Sequence, residues 1–290
     1  MIGFLNRGRG LSFFFAHTER AKHLLMITIR VVWESPQASV VIKPAGIATQ
    51  APAGLPSLEF ALRGQWFGEE AVARTADPAT YLALPHRLDR PVSGLLLVAR
   101  TKRAARLLGQ QFESRKVAKR YLAWVEGIYR PEKDATASDP SGTVWHDRLR
   151  KLEGLPRAEI VSDPTDSQEA ITTVRVLGYA TDRTLIELSP ETGRMHQLRV
   201  QSAHRGHPII GDIRYGARQD PAWDEGIDLD RYPDRYPDQY PGGEAIALHA
   251  WRLGFHDPTT GKWTEVRQLP QWQHFDVRPL VPNDPADLAS

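Results

Sequence analysis

The chain has 290 residues, 41% hydrophobic and 25% charged, with 37 basic against 35 acidic side chains and a formal net charge of +2. A chain of that length forms one large domain or two ordinary ones and buries roughly three quarters of its extended surface. It has no cysteine, which removes disulfide scaffolds, zinc–thiolate sites, iron–sulfur clusters and thiol catalysis, and no run nears the roughly 18 apolar residues of a membrane helix. The cations are 29 Arg and only 8 Lys. Arginine suits forked phosphate contacts and base stacking, and a coding bias of the source gives the same excess.

Residues 1–25 differ from the rest of the chain. A short basic stretch, Asn6-Arg7-Gly8-Arg9-Gly10, precedes Leu11-Ser12-Phe13-Phe14-Phe15-Ala16. That apolar run is too short for a secretory signal and no small-residue cleavage site comes after it, so the expectation is a disordered leader or a mis-assigned start, and a cytoplasmic protein. From Met26 the pattern alternates, with Ile27, Ile29 and Val31 on one strand face. Ser39–Lys43 reads as a strand running into the turn Pro44-Ala45-Gly46, and Leu58–Phe67 as a short helix. Leu95–Val98 is a buried strand after Ser93-Gly94. Thr101 caps a helix to about Phe112, with Ala104, Leu107, Leu108 and Phe112 at helical spacing. Tyr121–Val125 is a strand ending at Glu126-Gly127, and 131–143 is a Pro- and Gly-rich loop. Further strands are expected at 170–178, 184–189, 196–200 and 246–254. Proline recurring through Arg-Tyr-Pro-Asp repeats at 231–241 forbids a helix or central strand there, leaving a surface loop. No long linker interrupts 27–280, so the expected organisation is a leader at 1–25, one α+β domain at 26–280 and a loose tail at 281–290.

Three segments concentrate ionisable groups within apolar flanks. In Pro85-His86-Arg87-Leu88-Asp89-Arg90-Pro91-Val92-Ser93-Gly94, Asp89 sits between two arginines just before a buried strand. A carboxylate so placed can act as nucleophile or base, or simply form an Arg–Asp pair at a turn. The second segment, Lys116 to Gly127, closes a basic stretch holding Arg100, Lys102, Arg103, Arg106, Arg115, Lys116, Lys119 and Arg120, opposed only by Glu113. Such an excess marks a phosphate-binding face or a solvated helix. The third runs from Glu191-Thr192-Gly193-Arg194-Met195-His196-Gln197-Leu198-Arg199-Val200 to Gly211-Asp212. As a strand, 196–200 would put His196, Leu198 and Val200 on one face and Gln197 and Arg199 on the other. His196, His204, His207 and Asp212 lack the spacing of a known metal motif and lie among cations, so no metal is expected.

Taken together, HRLDRPVSGLLL, KRYLAWVEG, ETGRMHQLRV with GHPIIGDIRYG, and Ala247-Leu248-His249-Ala250-Trp251-Arg252-Leu253 resemble the successive motifs of the RluA-type pseudouridine synthases. Val41-Ile42-Lys43-Pro44-Ala45-Gly46 is similar to their opening strand and turn, and order and spacing fit from about residue 27 to 270. The resemblance implies the pseudouridine synthase fold, a long mixed, mostly antiparallel sheet with flanking helices and a central basic cleft. It implies isomerisation of a uridine in structured rRNA or tRNA by a monomer that needs no cofactor. By the same likeness Asp89 is the catalytic aspartate, Tyr121 lies under the target base and moves a proton, and Arg199 pairs with Asp89. Arg87 matches the residue that fills the gap left by an everted base. With it, Arg90, Lys116, Lys119, Arg194 and His196 are the candidate RNA contacts. Val92, Met195 and Gln201 depart from the residues common in relatives. The alternatives are a non-catalytic RNA-binding module that keeps the fold, which has no need of the Asp89–Tyr121–Arg199 trio, and a carboxylate- or metal-dependent hydrolase, which lacks an evident second acid near Asp89.

Overall fold

The computed structural model describes residues 28–52, 57–68, 78–131, 142–218, 245–272 and 277–281. The expected leader, the Tyr-Pro repeat, nearly all of the 131–143 loop and nearly all of the tail fall outside them. Among the described residues ten strands form one sheet: β1 (Val31–Glu34), β2 (Ala38–Lys43), β3 (Ser93–Ala99), β4 (Ala118–Glu126), β5 (Thr143–Lys151), β6 (Ala158–Ile160), β7 (Gln168–Ala180), β8 (Arg183–Pro190), β9 (Leu248–His256) and β10 (Trp263–Arg267). Their order is β1-β2-β3-β9-β4-β8-β7-β5-β6, with β10 on the rest of β9. Only β3 and β9 run parallel, at Ser93↔His249 and Gly94↔Ala250. There the backbones approach so closely that a Cβ on Gly94, whose φ is 119°, would overlap the Ala250 main chain. The strand count, the mixed pairing and the helices give the expected α+β class. No described helix is long and apolar enough to cross a membrane.

β3 explains its own sequence. Leu96 and Val98 enter the larger core while Leu95, Leu97 and Ala99 enter a second core beneath a helix, so a strand buried on both faces reads as a continuous apolar run. That helix, α2 (Lys102–Glu113), starts where the Thr101 hydroxyl accepts the Ala104 N–H at 3.1 Å and packs Ala104 and Leu108 against β3. The shorter α1 (Leu58–Phe67) is capped in the same way by Ser57, which accepts the Phe60 N–H at 3.1 Å, and it buries Leu58 and Leu62 in the larger core.

One expected strand is a helix. Residues 196–200 open α3 (Gln197–His204), and His196 before it takes a left-handed backbone, φ 53° and ψ 24°. The cause is total burial: Gln197 through Ser202 are all buried, so no apolar stripe marks a helical period and the alternation of polar and apolar residues imitates a strand. Gln197 supplies the missing start signal. Its Oε1 accepts the Arg194 N–H at 3.0 Å and the Thr192 hydroxyl at 2.8 Å, while Nε2 donates to the Thr172 hydroxyl on β7 at 2.9 Å. Leu198 and Arg199 therefore project from a helix packed against the sheet, not from a strand within it.

Candidate active site

The loop bearing Asp89 is bolted to the end of β2. Arg90 Nε donates to the Gly46 carbonyl at 2.7 Å and the Gly46 N–H to the Arg90 carbonyl at 2.9 Å. The Thr49 hydroxyl donates to the Leu88 carbonyl at 2.7 Å and accepts the Leu88 N–H at 3.1 Å. Lys43, fully buried, sends its ammonium to the carbonyls of Pro44 and Ile47 at 2.8 Å and of Arg90 at 3.1 Å. Burial pushes its pKa down to about 7 against the upward pull of the Asp89 charge. In the sequence Lys43 marks only the end of a strand. The signal for more was a lysine closing an otherwise apolar run, where an exposed charge has no place.

Arg199 joins two carboxylates. Its Nε and Nη2 donate to the two oxygens of Asp212 at 2.6 and 2.8 Å, and Nη1 donates to Asp89 Oδ2 at 3.2 Å. Side-chain exposures of 1% for Asp212, 5% for Arg199 and 21% for Asp89 grade the trio from core to cavity. Burial works against the Arg199 charge, and the hydrogen bonds and charge of Asp212, with Asp89 behind them, more than offset it and raise the guanidinium pKa. The Asp212 turn also carries Tyr215, whose ring lies 5.1 Å from the Arg199 guanidinium and whose hydroxyl is 2.8 Å from His196 Nδ1. His196 Nε2 stands 3.7 Å from Asp89 Oδ2. Burial lowers the His196 pKa to about 4, opposed by Asp89 and assisted by Arg199, so the ring is neutral at physiological pH. Asp212 and Tyr215 belong to the sequence motifs without these roles being visible there; Asp212 stood only in a rejected metal set.

Asp89 is the wall between two cavities. One, of about 470 Å³, is lined by Asp89, Tyr121, Val92, Leu198 and Leu248, with Lys119, Lys151 and Arg194 among its cations. The other, of about 280 Å³, is lined also by Thr49, Gln50, Pro156 and Arg214. Arg87, Leu88, Met195, His196 and Arg199 border both. Tyr121 comes from β4, between Ala250 of β9 and Leu188 of β8. Burial, and after it the Asp89 charge, raises its pKa, leaving a neutral phenol beside the carboxylate.

Of the sequence-based candidates, Asp89, Tyr121, Arg199, Arg87, Lys119, Arg194 and His196 thus meet at these cavities. Arg87 is exposed and forms no hydrogen bond or ion pair with the described residues. Arg194 lends Nε to the Glu169 carbonyl at 3.0 Å. Arg90 lines the smaller cavity while its Nε serves the loop latch. Lys116, exposed beyond α2, borders neither cavity. Among the departures, Gln201 is fully buried and takes its own partners, accepting from the Thr172 hydroxyl at 2.7 Å and donating to Asp147 at 2.7 Å.

Residues 37–204 match the model of the RNA pseudouridylate synthase family. Ribosomal large subunit pseudouridine synthase C of Vibrio parahaemolyticus is 32% identical over 237 residues, 81% of this chain and 64% of that protein. tRNA pseudouridine synthase C of Haemophilus ducreyi is 37% identical over 201 residues, 65% of this chain and 73% of that protein. The solved structure of human RNA pseudouridylate synthase domain containing 4 superposes with a TM-score of 0.59 at 22% identity, covering 89% of this chain and 94% of that one, a likeness of fold. The chain spans less than two thirds of the length of the ribosomal-subunit relative.

Proposed function

The chain belongs to the RNA pseudouridylate synthase family, and from that premise we propose that it isomerises a uridine within structured rRNA or tRNA to pseudouridine, as a cytoplasmic monomer without a cofactor. The observation that carries this reading is the Asp89 carboxylate, held at 3.2 Å by a buried guanidinium and opening on a cavity that also contains a neutral tyrosine. The reaction cleaves the bond from ribose C1′ to uracil N1, turns the base, and joins C1′ to C5. In this reading the target nucleotide leaves its stack, at a cost of a few kcal/mol, and its sugar meets Asp89. As the C1′–N1 bond breaks its electron pair stays with the uracil, and a carboxylate oxygen of Asp89 traps the oxocarbenium-like carbon. C5 then displaces that oxygen, the C5 proton is lost, and N1 takes up a proton, so atoms and charge balance with no net redox change.

Tyr121 gains acidity along this path. Burial, and after it the Asp89 charge, holds the phenol proton in place; esterifying the carboxylate removes the second of these and makes Tyr121 a better proton donor toward the turned base, while burial still keeps the phenol neutral at rest. Arg87, which has no hydrogen-bond or ion-pair partner among the described residues and borders both cavities, would enter the gap in the RNA stack. Lys119, Lys151 and Arg194 offer the cavity side a phosphate-binding rim. The rRNA and tRNA substrates are those of the named relatives and are carried over here as part of the proposal.

The test is release of tritium from RNA labelled at uridine C5, with pseudouridine mapped in the same transcripts. Release that depends on the wild-type chain, with pseudouridine formed in rRNA or tRNA, is the expected result. Absence of release from total RNA, by folded protein, would refute the activity.

A further inference from the structure

We infer that His196 is a positioning residue for Asp89: a neutral imidazole whose Nε2–H is aimed at Asp89 Oδ2 because Tyr215 fixes which ring nitrogen carries the proton. The inference deepens the proposed reaction and rests on it for its kinetic part, while its structural part is independent. The tautomer is set by counting donors. The Tyr215 oxygen accepts the Ala158 N–H at 3.0 Å, and among the described residues the one acceptor within reach of its own hydrogen is His196 Nδ1 at 2.8 Å. With Nδ1 accepting, the ring proton sits on Nε2, the nitrogen 3.7 Å from Asp89. Tyr215 also packs edge-on against the ring, with centroids 5.7 Å apart.

The backbone reinforces the same point. A non-glycine residue in the left-handed region carries strain, and His196 heads α3 without using its side chain to cap that helix. Its side chain is committed instead to the wall between the two cavities. Tyr215 is equally fixed, lying between the guanidinium of Arg199 at 5.1 Å and that of Arg157 at 5.3 Å. The groups facing His196 are therefore Asp89, Arg199, Arg214 and Asp212, with Tyr215 holding its far nitrogen. Arg199 donates to Oδ2 of Asp89 and His196 Nε2 stands 3.7 Å from the same atom, so in the proposed reaction Oδ1 would be the oxygen that meets the sugar. A neutral donor suits that task better than a second cation, because it orients the carboxylate without drawing off the charge that the reaction needs.

Two measurements test the inference. In protein labelled with ¹⁵N-histidine, the ring shifts of His196 should report the neutral Nε2–H tautomer at pH 7, and Tyr215→Phe should convert it to a mixture. A charged ring, or an Nδ1–H tautomer in the wild type, overturns the inference whether or not the protein modifies RNA. In turnover assays, His196→Phe should lower kcat about ten- to a hundredfold, the range for a charged hydrogen bond formed when the 3.7 Å separation closes in the substrate complex, with KM for RNA within about twofold, a shift too small to reflect a lost phosphate contact. His196→Gln, which keeps a neutral N–H near the Nε2 position, should recover most of that loss. Equal rates for the Phe and Gln variants would reduce His196 to packing, and a raised KM at unchanged kcat would make it an RNA contact; either result refutes the positioning role. A wild-type chain with the expected tautomer and no turnover would instead sink the activity.

Discussion

The loop before β3 and the turn after α3 offer carboxylates to one guanidinium, and the two sites differ in what surrounds them. Asp212 takes two short bonds from Arg199 and is 1% exposed; Asp89 takes one longer bond and is 21% exposed. The same cation therefore anchors to one acid and leaves the other a free oxygen facing a cavity. A carboxylate saturated with donors is a poor nucleophile, and one with no donor wanders. The asymmetry gives Arg199 a fixed base from which, in the proposed reaction, it would aim the Asp89 carboxylate.

The sharpest way to break this comparison is to neutralise each acid in turn. Asp89→Asn should abolish isomerisation, by about 10⁴–10⁶-fold in kcat as for loss of a nucleophile, while thermal stability and RNA affinity stay close to wild type. Tritium release and a binding titration on the same preparation check both halves; a variant that turns over normally would remove Asp89 from the chemistry. Asp212→Ala should do the reverse in kind. It strands a buried guanidinium, and unfolding in urea should show a loss of about 3–5 kcal/mol. A small stability change with wild-type kinetics would mean that Arg199 holds its place without Asp212.

Arg199→Lys tests the shared partner. An ammonium is a point charge and cannot fork to Asp212 while reaching Asp89. Turnover should fall by about 10–100-fold, as expected when a charged hydrogen bond is lost from the transition state, with RNA affinity little changed. Wild-type rates in that variant would deny Arg199 its aiming role.

The same contrast shows what the sequence made legible. Asp89 stood out because arginines flank it and an apolar strand comes next, and strands β2, β3, β4, β7, β8 and β9 were visible from apolar runs or alternation. Arg199 was identified as a partner while its helix was mistaken for a strand, since uniform burial erases the helical period. Lys43, Asp212 and Tyr215 matter through contacts 47, 13 and 19 residues away, and no local pattern signals such pairs. β5 begins inside a stretch read as loop and exposes Val144, and β10 is a five-residue strand with Trp263 half exposed; neither offers a clean alternation to read.

The pH response probes how dry the site is. His196 and His249 both have folded pKa values near 4, chiefly because burial disfavours the charged ring. His249 is held neutral on both sides, accepting from the Ser93 hydroxyl at 2.8 Å and donating to the Gln268 carbonyl at 3.1 Å. Unfolded, each ring titrates near 6.5. Between those values the unfolded chain binds more protons than the folded one, so stability is intact above pH 6.5 and is lost as pH falls toward 4. Urea midpoints taken stepwise across that window should fall, and a flat profile would show that the rings are solvated.

The smallest expected effect asks how far the cationic surroundings of Asp89 extend outward. Lys119 and Lys116 lie three residues apart, yet Lys119 lines the Tyr121 cavity and Lys116 lies on neither side of the Asp89 wall. Burial, and then the charge of Arg115, lowers the Lys119 pKa, so a bound phosphate would be a favourable partner for it. Lys119→Ala should raise KM a few-fold at unchanged kcat and flatten the slope of log affinity against log salt by about 0.7–1, the contribution of one phosphate contact. Lys116→Ala should change the slope by less than half as much. Equal slopes for the two variants would mean that RNA reaches past the cavity rim along α2, and that the binding face is as wide as the basic stretch itself.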